Sequence, residues 1–584
     1  MNLKDWNLDK NDRIYLILLF LITLLAALKI LDLTMKGCIS NPDIALYLIN
    51  SLKYAGLDLY NIANSNDMVN TPIICYLTSL IFRTGYVDKN AIIIITSLFN
   101  FIGFFGFYIL LKNRFNPQLS FIGTIIYGSL PIILVNAYRG MIDLPSISIS
   151  IWILVFGIMA IDKNPKYFLI TLPLFTIGFF TKYIAGLTLP LIVLYYVMNR
   201  NVVDTFDDLI SDKKLFKQKF KNYVKSKEFK YILISSIIAL IIGFIIIKTL
   251  ILDFNAPLSF IKQTTNTFNG YDYSPTDIDY NMDSLYYINH FSSIIYETNK
   301  NALLLSTFLY TIFGFGLILG ILRFIKNINH FKFKKELFKT KYFDRILSIV
   351  IVILIFISLY TINDMPNHMI SNVSLLVALT LIFSKLIKYH VNNKILSIDI
   401  LILAYFLINL IFISLYAIKV PRYILPAIPP FIYFIIWGLN SIYKSIGDKK
   451  LFNFKLTSYI SSIILIIFLI FTISFIISPM EYDQTGEVYR DVYDWDFKFE
   501  LIDISNFIIN NDNTYHNKTF ASDYHHSKLY KWYLNNNVSV LNTDKSIKNF
   551  KDTDYIITTG NDKISNYTKI YKNDKFYLYK HKTK

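Results

Sequence analysis

The sequence predicts a polytopic α-helical membrane protein with a small α/β domain at its C-terminal end. Three observations carry this prediction. Of the 584 residues, 54% are hydrophobic and only 17% are charged; the apolar residues gather into runs of membrane-spanning length; and the cations collect between alternate runs. A mean hydropathy of +0.43 is too apolar for an ordinary soluble enzyme. The net charge of +17 reads as a topology signal, because the lysines sit in short loops and do not form a basic domain interleaved with aromatic residues. No nucleic-acid partner is expected.

A hydrocarbon core of about 30 Å requires about 20 helical residues. Runs of that kind, bounded by charge, Pro or Gly, occupy residues 14–31, 91–111, 119–135, 144–161, 167–180, 184–198, 231–252, 302–322, 346–362, 373–387, 395–418, 424–442 and 457–477. That makes about thirteen spans. The first run is too long for a signal-peptide core and lacks a small-residue cleavage site, so it is read as the first helix. The segment Pro72–Phe82 has about half the spanning length and is placed along the interface. An odd number of crossings sorts the connecting segments onto two sides. One side receives Lys112, Arg114, Lys163, Lys166, the lysine-rich loop from Lys213 to Lys230, residues 326–341 and residues 444–455. By the positive-inside rule that side is cytoplasmic, together with the N-terminus. The other side receives residues 32–90, the turn before Leu144, residues 253–300, residues 364–371, residues 419–423 and the tail. A multi-pass plasma-membrane protein is expected, with residues 1–480 forming the membrane domain and residues 481–584 an extracytoplasmic domain.

The tail is the size of a small domain. Helical periodicity at 499–509 and short alternating strands at 555–559 and 576–579 suggest an α/β module. Two cysteines, Cys38 and Cys75, are too few for a disulfide framework or a thiolate metal site. Three Asn-x-Ser/Thr sequons in the tail, at Asn517, Asn537 and Asn566, are expected by chance in an Asn-rich chain. No internal repeat on the scale of transporter halves is apparent.

The chemistry-bearing residues fall on the outward side. Asp43 opens a helix-like stretch and stands one turn before Tyr47. Asp143 precedes the run 144–161. For both acids N-capping is the structural alternative. An acid held near the bilayer surface is a functional candidate, and two on one face strengthen each other. Arg139, Lys182 and Arg422 lie on the same side, against the positive-inside bias. Snorkelling to the headgroups is their structural alternative; binding a lipid phosphate is the functional one. Displacing a phosphate from an anomeric carbon requires one carboxylate to take the incoming hydroxyl's proton and cations to receive the leaving phosphate. A glycosidase, with a poor alkoxide leaving group, needs two carboxyls instead.

With these residues the chain resembles the GT-C superfamily of polyprenyl-phosphate-sugar glycosyltransferases, in the branch of the protein O-mannosyltransferases and the bacterial aminoarabinose transferase. Asp43 to Tyr47 match an acidic D-x-x-x-Y segment, although Ile44 stands where the family has a second acid. Pro72 retains the last proline of a His-Pro-Pro-like segment. Arg139 to Pro145 resemble the second acidic turn, and Thr181, Lys182 and Tyr183 the segment after the fifth span. Arg422, Tyr423, Pro426 and Pro429 resemble an Arg-Tyr-x-x-Pro-x-x-Pro signature. The resemblance implies inverting transfer of a sugar from a polyprenyl-phosphate donor to a protein, lipid or glycan acceptor on the outer face. It implies Asp43 and Asp143 as the site carboxylates, and Tyr47, Arg139, Lys182, Tyr183, Arg422 and Tyr423 as substrate-binding residues. It leaves a divalent metal open, while Ile44 removes the usual two-carboxylate pair. The loop 253–300, with Tyr271, Tyr273, Tyr280, Tyr286 and Tyr287, offers aromatic faces to a sugar; its structural alternative is an interfacial aromatic belt.

Three other readings compete. An oligosaccharyltransferase subunit would carry a Trp-Trp-Asp-type motif in a larger soluble domain, and residues 493–497 are not that motif. A transporter or flippase of lipid-linked or anionic solutes would place ionisable groups at mid-span. A scaffold would use the tail alone. His525 and His526 in the tail are read as solvated.

Overall fold

The computed structural model describes residues 6, 8–36, 39, 41–59, 62, 72–137, 140–200, 213–251, 285–291, 307–319, 322, 342–361, 370–371, 373–375, 377–379, 381–382, 394–414, 419–447, 449–451, 454–477, 498–540, 553–560, 564–574 and 576–582. Every apolar run falls on helix wherever it is described, with one break at Leu130. The N-terminal part of the chain forms α1 (Lys10–Lys36), α2 (Pro42–Ala55), α3 (Pro72–Phe82), α4 (Asn90–Lys112), α5 (Pro117–Ser129), α6 (Pro131–Ala137), α7 (Asp143–Asp162), α8 (Phe168–Thr181) and α9 (Thr188–Asn199). Further helices follow at Lys213–Val224, Lys227–Ile246, Thr307–Leu319, Tyr342–Thr361, Lys394–Ser414, Ile428–Ile446 and Leu456–Ile477.

Proline punctuates these helices in chemically expected places. Asn41 caps α2 by accepting from the Asp43 amide at 2.9 Å, with Pro42 as the first helical residue, and Gly56 closes the helix at φ +76; this is the Pro-in, Gly-out pattern. The run 119–135 is the one predicted span that breaks. Leu130 is extended because Pro131 disfavours helical backbone in the residue before it, so α5 and α6 share the run. Pro173 stays within α8.

Six helices of the described residues are long and apolar enough to cross a membrane. α7 is their central post and is buried along nearly its whole length. It packs so closely on α4 that a Cβ at Gly103 would lie 2.1 Å from Ser148 Oγ. The outer helices turn their apolar side chains outward: Leu25 is 69% and Leu240 73% exposed. Along a whole helix such a face is tolerable only where lipid covers it.

The two ends of the helices carry different kinds of contact. At one end Asp12 pairs with Lys112 at 3.0 Å and accepts from Tyr108 at 2.6 Å, Arg114 pairs with Asp399 at 2.8 Å, and Arg200 pairs with Glu228 at 2.9 Å. At the other end α2, α3 and the start of α4 share one core with the tail.

A short hairpin, β1 (Lys450–Leu451) and β2 (Phe454–Lys455), precedes the last membrane helix. The tail holds helices Lys498–Asn511 and Tyr524–Leu534 and strands β3 (Phe520–Ser522), β4 (Val538–Val540), β5 (Tyr555–Thr558), β6 (Tyr567–Lys572) and β7 (Tyr577–His581). The sheet order is β4-β3-β5-β7-β6, with β3 parallel to β4 and β5, and β7 antiparallel to β5 and β6. The tail docks on the first loop. Tyr533 Oη accepts from the Ile39 amide at 2.7 Å and donates to the Ile39 carbonyl at 3.0 Å, and Trp532 stacks on Phe82.

Candidate active site

Asp43 does not cap its helix. Because Pro42 takes the first helical position, Asn41 is the cap, and the Asp43 carboxylate is left to reach across the fold. It accepts from Arg422 Nη2 at 2.6 Å. Asp143 does not cap either: it is the first residue of α7, after Ile142, and its Oδ1 accepts from Lys182 Nζ at 2.6 Å. Gly140, at φ +84, makes the turn that delivers it. In both cases the capping alternative gives way to an ion pair across elements.

The partners come from irregular backbone. Lys182 is an extended residue between α8 and the 3₁₀ turn Tyr183–Leu187. Arg422 and Tyr423 lie in a second 3₁₀ turn, Pro421–Ala427, that leads into the helix Ile428–Ile446. Tyr423 joins the two pairs: its ring centroid is 5.6 Å from Lys182 Nζ and 5.7 Å from the Arg422 guanidinium carbon, within cation–π range. Tyr183 lies close enough to Tyr423 to interact with it, and buried Tyr47 stands near both acids and Arg422. The structure therefore gathers Asp43, Tyr47, Asp143, Lys182, Tyr183, Arg422 and Tyr423 at one end of the bundle. Arg139 lies outside the described residues.

The two acids differ in access and in environment. The Asp43 side chain is 33% exposed, that of Asp143 only 7%. Burial pushes the Asp43 carboxyl up, but the charges of Arg422, Lys528 and Lys182 outweigh it and hold the group below the ordinary aspartate value. Asp43 is thus a partly exposed carboxylate held in its ionised form. Burial, then the charges of Asp43 and Asp143, push Tyr47 well up, so it stays a neutral hydroxyl. Four charges, two of each sign, cancel across the two pairs. Asp143 Oδ2, Ser146 Oγ and Arg422 Nε are buried and have no hydrogen-bond partner among the described residues.

A further set of contacts positions Arg422. Lys419 is buried and donates to the carbonyls of Ser414 at 2.6 Å and Ile413 at 3.3 Å, closing the helix Lys394–Ser414. Its ammonium stands 5.6 Å from the Tyr287 ring centroid, and Tyr287 Oη donates to the Val420 carbonyl at 2.9 Å. Of the loop tyrosines, Tyr271, Tyr273 and Tyr280 lie outside the described residues. Among the described residues no group of three or more His, Cys, Asp or Glu side chains is arranged for a metal. The His525 side chain lies outside them as well, and His526 Nδ1 is 2.8 Å from Asp523.

This constellation can accept a proton at Asp43 and an anion at Arg422 and Lys182. The family model described as dolichyl-phosphate-mannose-protein mannosyltransferase matches residues 69–207. That stretch includes Asp143 and Lys182, but not Asp43 or Arg422. No curated protein matches the chain in sequence. Crystal structures of ArnT from Cupriavidus metallidurans match its fold. The apo form does so at TM-score 0.52 and 9% identity over 96% of this chain and 97% of that one; the form bound to undecaprenyl phosphate does so at 0.51 and 10% over 97% of each. The fold resembles that of ArnT. The archaeal oligosaccharyltransferase AglB from Archaeoglobus fulgidus matches at TM-score 0.46 and 9% identity, over 93% of this chain and 69% of that one.

Sequence reasoning missed Lys528, which lies on the tail helix Tyr524–Leu534, and the part played by Lys419. Neither sits in a motif. Lys528 is far from Asp43 in sequence, and its charge acts on Asp43 only because the tail packs on α2.

Proposed function

We propose that the chain transfers a sugar from a polyprenyl-phosphate donor to a hydroxyl acceptor, by inversion, at the tail end of the bundle. The observation that carries this reading is one reachable carboxylate, Asp43, held ionised within a cluster that also holds two cations, Arg422 and Lys182. The acceptor oxygen attacks the anomeric carbon as the bond from that carbon to the phosphate oxygen breaks. The acceptor's proton passes to Asp43, and the electron pair of the broken bond leaves on the polyprenyl phosphate. The donor phosphodiester carries one negative charge and the departing monoester gains a second. Protonation of Asp43 removes its attraction for Arg422 at the moment the phosphate needs that cation, so charge stays balanced through the step. Lys182, held by enclosed Asp143, supplies the second cation. Tyr47 and Tyr423 offer hydroxyls and a ring face to the sugar. The acceptor is a protein, lipid or glycan hydroxyl, and the site faces out of the cytoplasm with the tail beside it.

The test is product analysis on purified protein given a polyprenyl-phosphate sugar of defined anomeric configuration and candidate acceptors. Release of polyprenyl phosphate together with a product of opposite anomeric configuration, seen by mass spectrometry and NMR, is expected. Retained configuration refutes the single-displacement mechanism. Translocation of intact lipid-linked sugar in proteoliposomes, without bond cleavage, refutes the enzyme reading in favour of a transporter.

A further inference from the structure

Between α9 and the next span lies a surface helix with two unlike faces. The helix Lys213–Val224 carries five lysines and no acidic residue. Phe216, Phe220, Tyr223 and Val224 fall at i, i+4, i+7 and i+8, and so share one face. Lys217 and Lys221 run along one border of that face and Lys219 along the other, while Gln218 lies opposite. The helix is held from one side. Tyr223 Oη accepts from Tyr196 Oη of α9 at 2.9 Å, and its ring meets Phe229 of the helix Lys227–Ile246 edge-on at 5.4 Å. The remainder of the apolar face is left open: Phe220 is 55% and Val224 39% exposed, with Phe216 stacked on Phe220 at a centroid distance of 6.0 Å.

Its neighbours place this face at the membrane boundary. Ser226 caps the helix Lys227–Ile246 by accepting from the Phe229 amide at 3.1 Å, so only Lys225 and Ser226 separate the surface helix from a membrane span. That span turns Leu233, Ile237, Leu240 and Phe244 outward, as a lipid-covered helix does. Arg200, which follows α9, donates to the Ile161 carbonyl at 2.7 Å and pairs with Glu228. The surface helix therefore lies at the end of α7 opposite Asp143. We propose that the helix Lys213–Val224 lies in the headgroup layer of an anionic bilayer, with Phe220 and Val224 entering the acyl boundary and Lys217, Lys221 and Lys225 meeting lipid phosphates. The three lysines are exposed, and their stems can follow the apolar face while the ammonium groups stay at headgroup level. Charge argues against a second copy as the occupant, because two such lysine-rich helices repel. The inference is independent of the sugar transfer proposed above.

The experiment uses full-length protein in which Cys38→Ser and Cys75→Ala leave one introduced cysteine, Phe220→Cys or Gln218→Cys, to carry a bimane fluorophore. The protein is reconstituted in vesicles of phosphatidylcholine with or without phosphatidylglycerol, with brominated acyl chains as the quencher. In vesicles containing phosphatidylglycerol, quenching is expected for the probe at 220 and not for the probe at 218. An anionic surface favours each nearby lysine by about fivefold. Lys217→Gln, Lys221→Gln and Lys225→Gln together are therefore expected to lower the ratio of docked to released helix by about 10²-fold, with loss of quenching at 220. Omitting phosphatidylglycerol is expected to weaken quenching in the same direction, and arginine at the three positions to preserve it. Blue-shifted but unquenched emission at 220 means that protein covers the face, and overturns the proposal. Equal quenching at 218 and 220 overturns the orientation and the proposal with it. Quenching at 220 that ignores both phosphatidylglycerol and the glutamine substitutions also overturns it, and is the result expected if Asp204, Asp207, Asp208 and Asp212 neutralise the lysines.

Discussion

Replacing Lys182 by methionine isolates the enclosed ion pair. Methionine keeps the length and apolar stem of lysine and removes only the charge. The pair it breaks is 2.6 Å long, with side-chain exposures of 13% for Lys182 and 7% for Asp143, and Asp143 Oδ2 already has no partner among the described residues. Removing one member of such a buried pair leaves an uncompensated charge and costs about 3–5 kcal/mol. Asp143→Asn leaves no buried anion, and the Lys182 ammonium can extend toward the interface, so its expected cost is about 1 kcal/mol. The double variant Lys182→Met with Asp143→Asn is therefore expected to be more stable than Lys182→Met alone, recovering most of the loss. Reversible unfolding in mixed micelles gives the four free energies of the cycle. A Lys182→Met protein within about 0.5 kcal/mol of wild type, a difference typical of neutral surface changes, would refute the view that this pair is a buried, interacting unit. So would a double variant no better than the single.

Three further outcomes follow from the same geometry. Asp43 titrates below the ordinary aspartate value of 3.8 when folded, so its charge contributes stability above that value and the contribution is lost as pH falls through the lower folded value; unfolding free energy measured against pH should show no Asp43-dependent change between about pH 5 and 8, with the difference from Asp43→Asn confined to stronger acid. Tyr533→Phe removes both hydrogen bonds to Ile39 at about 1–2 kcal/mol, and limited proteolysis should release the tail faster while the membrane helices stay intact. Gly438→Val places a side chain against the Thr307–Leu319 helix, where even a Cβ would lie 2.9 Å from the Ile312 carbonyl oxygen; the helices must separate, and the melting temperature in detergent should drop.

The membrane helices were legible in the sequence because the bilayer imposes a length on every span, and each run stands out from its charged borders. The break at Pro131 was legible in principle from its effect on Leu130 but hidden inside an unbroken apolar run. In the tail, the helix at 498–511 and the strands at 555–558 and 577–581 were visible as periodicity. Strand β3 was not: it has three residues, all buried, and so no alternation. The helix Tyr524–Leu534 hides its apolar face, Leu529, Tyr530 and Leu534, among His, Lys and Ser. The seven described candidate residues could be picked out by residue type and by the side of the membrane expected for them, but not their pairing. That Asp43 meets Arg422, and Asp143 meets Lys182, depends on how α2, α7 and two 3₁₀ turns converge, which no local pattern records. The capping alternative failed for a local reason that could have been read: a proline at position 42 makes Asn41 the cap.

The most direct test of the account is turnover of purified wild-type protein and Asp43→Asn with a panel of polyprenyl-phosphate sugars. Asparagine keeps the size of the side chain and an oxygen for Arg422, and removes the ability to take a proton. General-base catalysis contributes about 10²–10⁴-fold, so the variant should fold, bind polyprenyl phosphate, and transfer sugar slower by that factor. Turnover that survives the substitution undiminished would contradict the account.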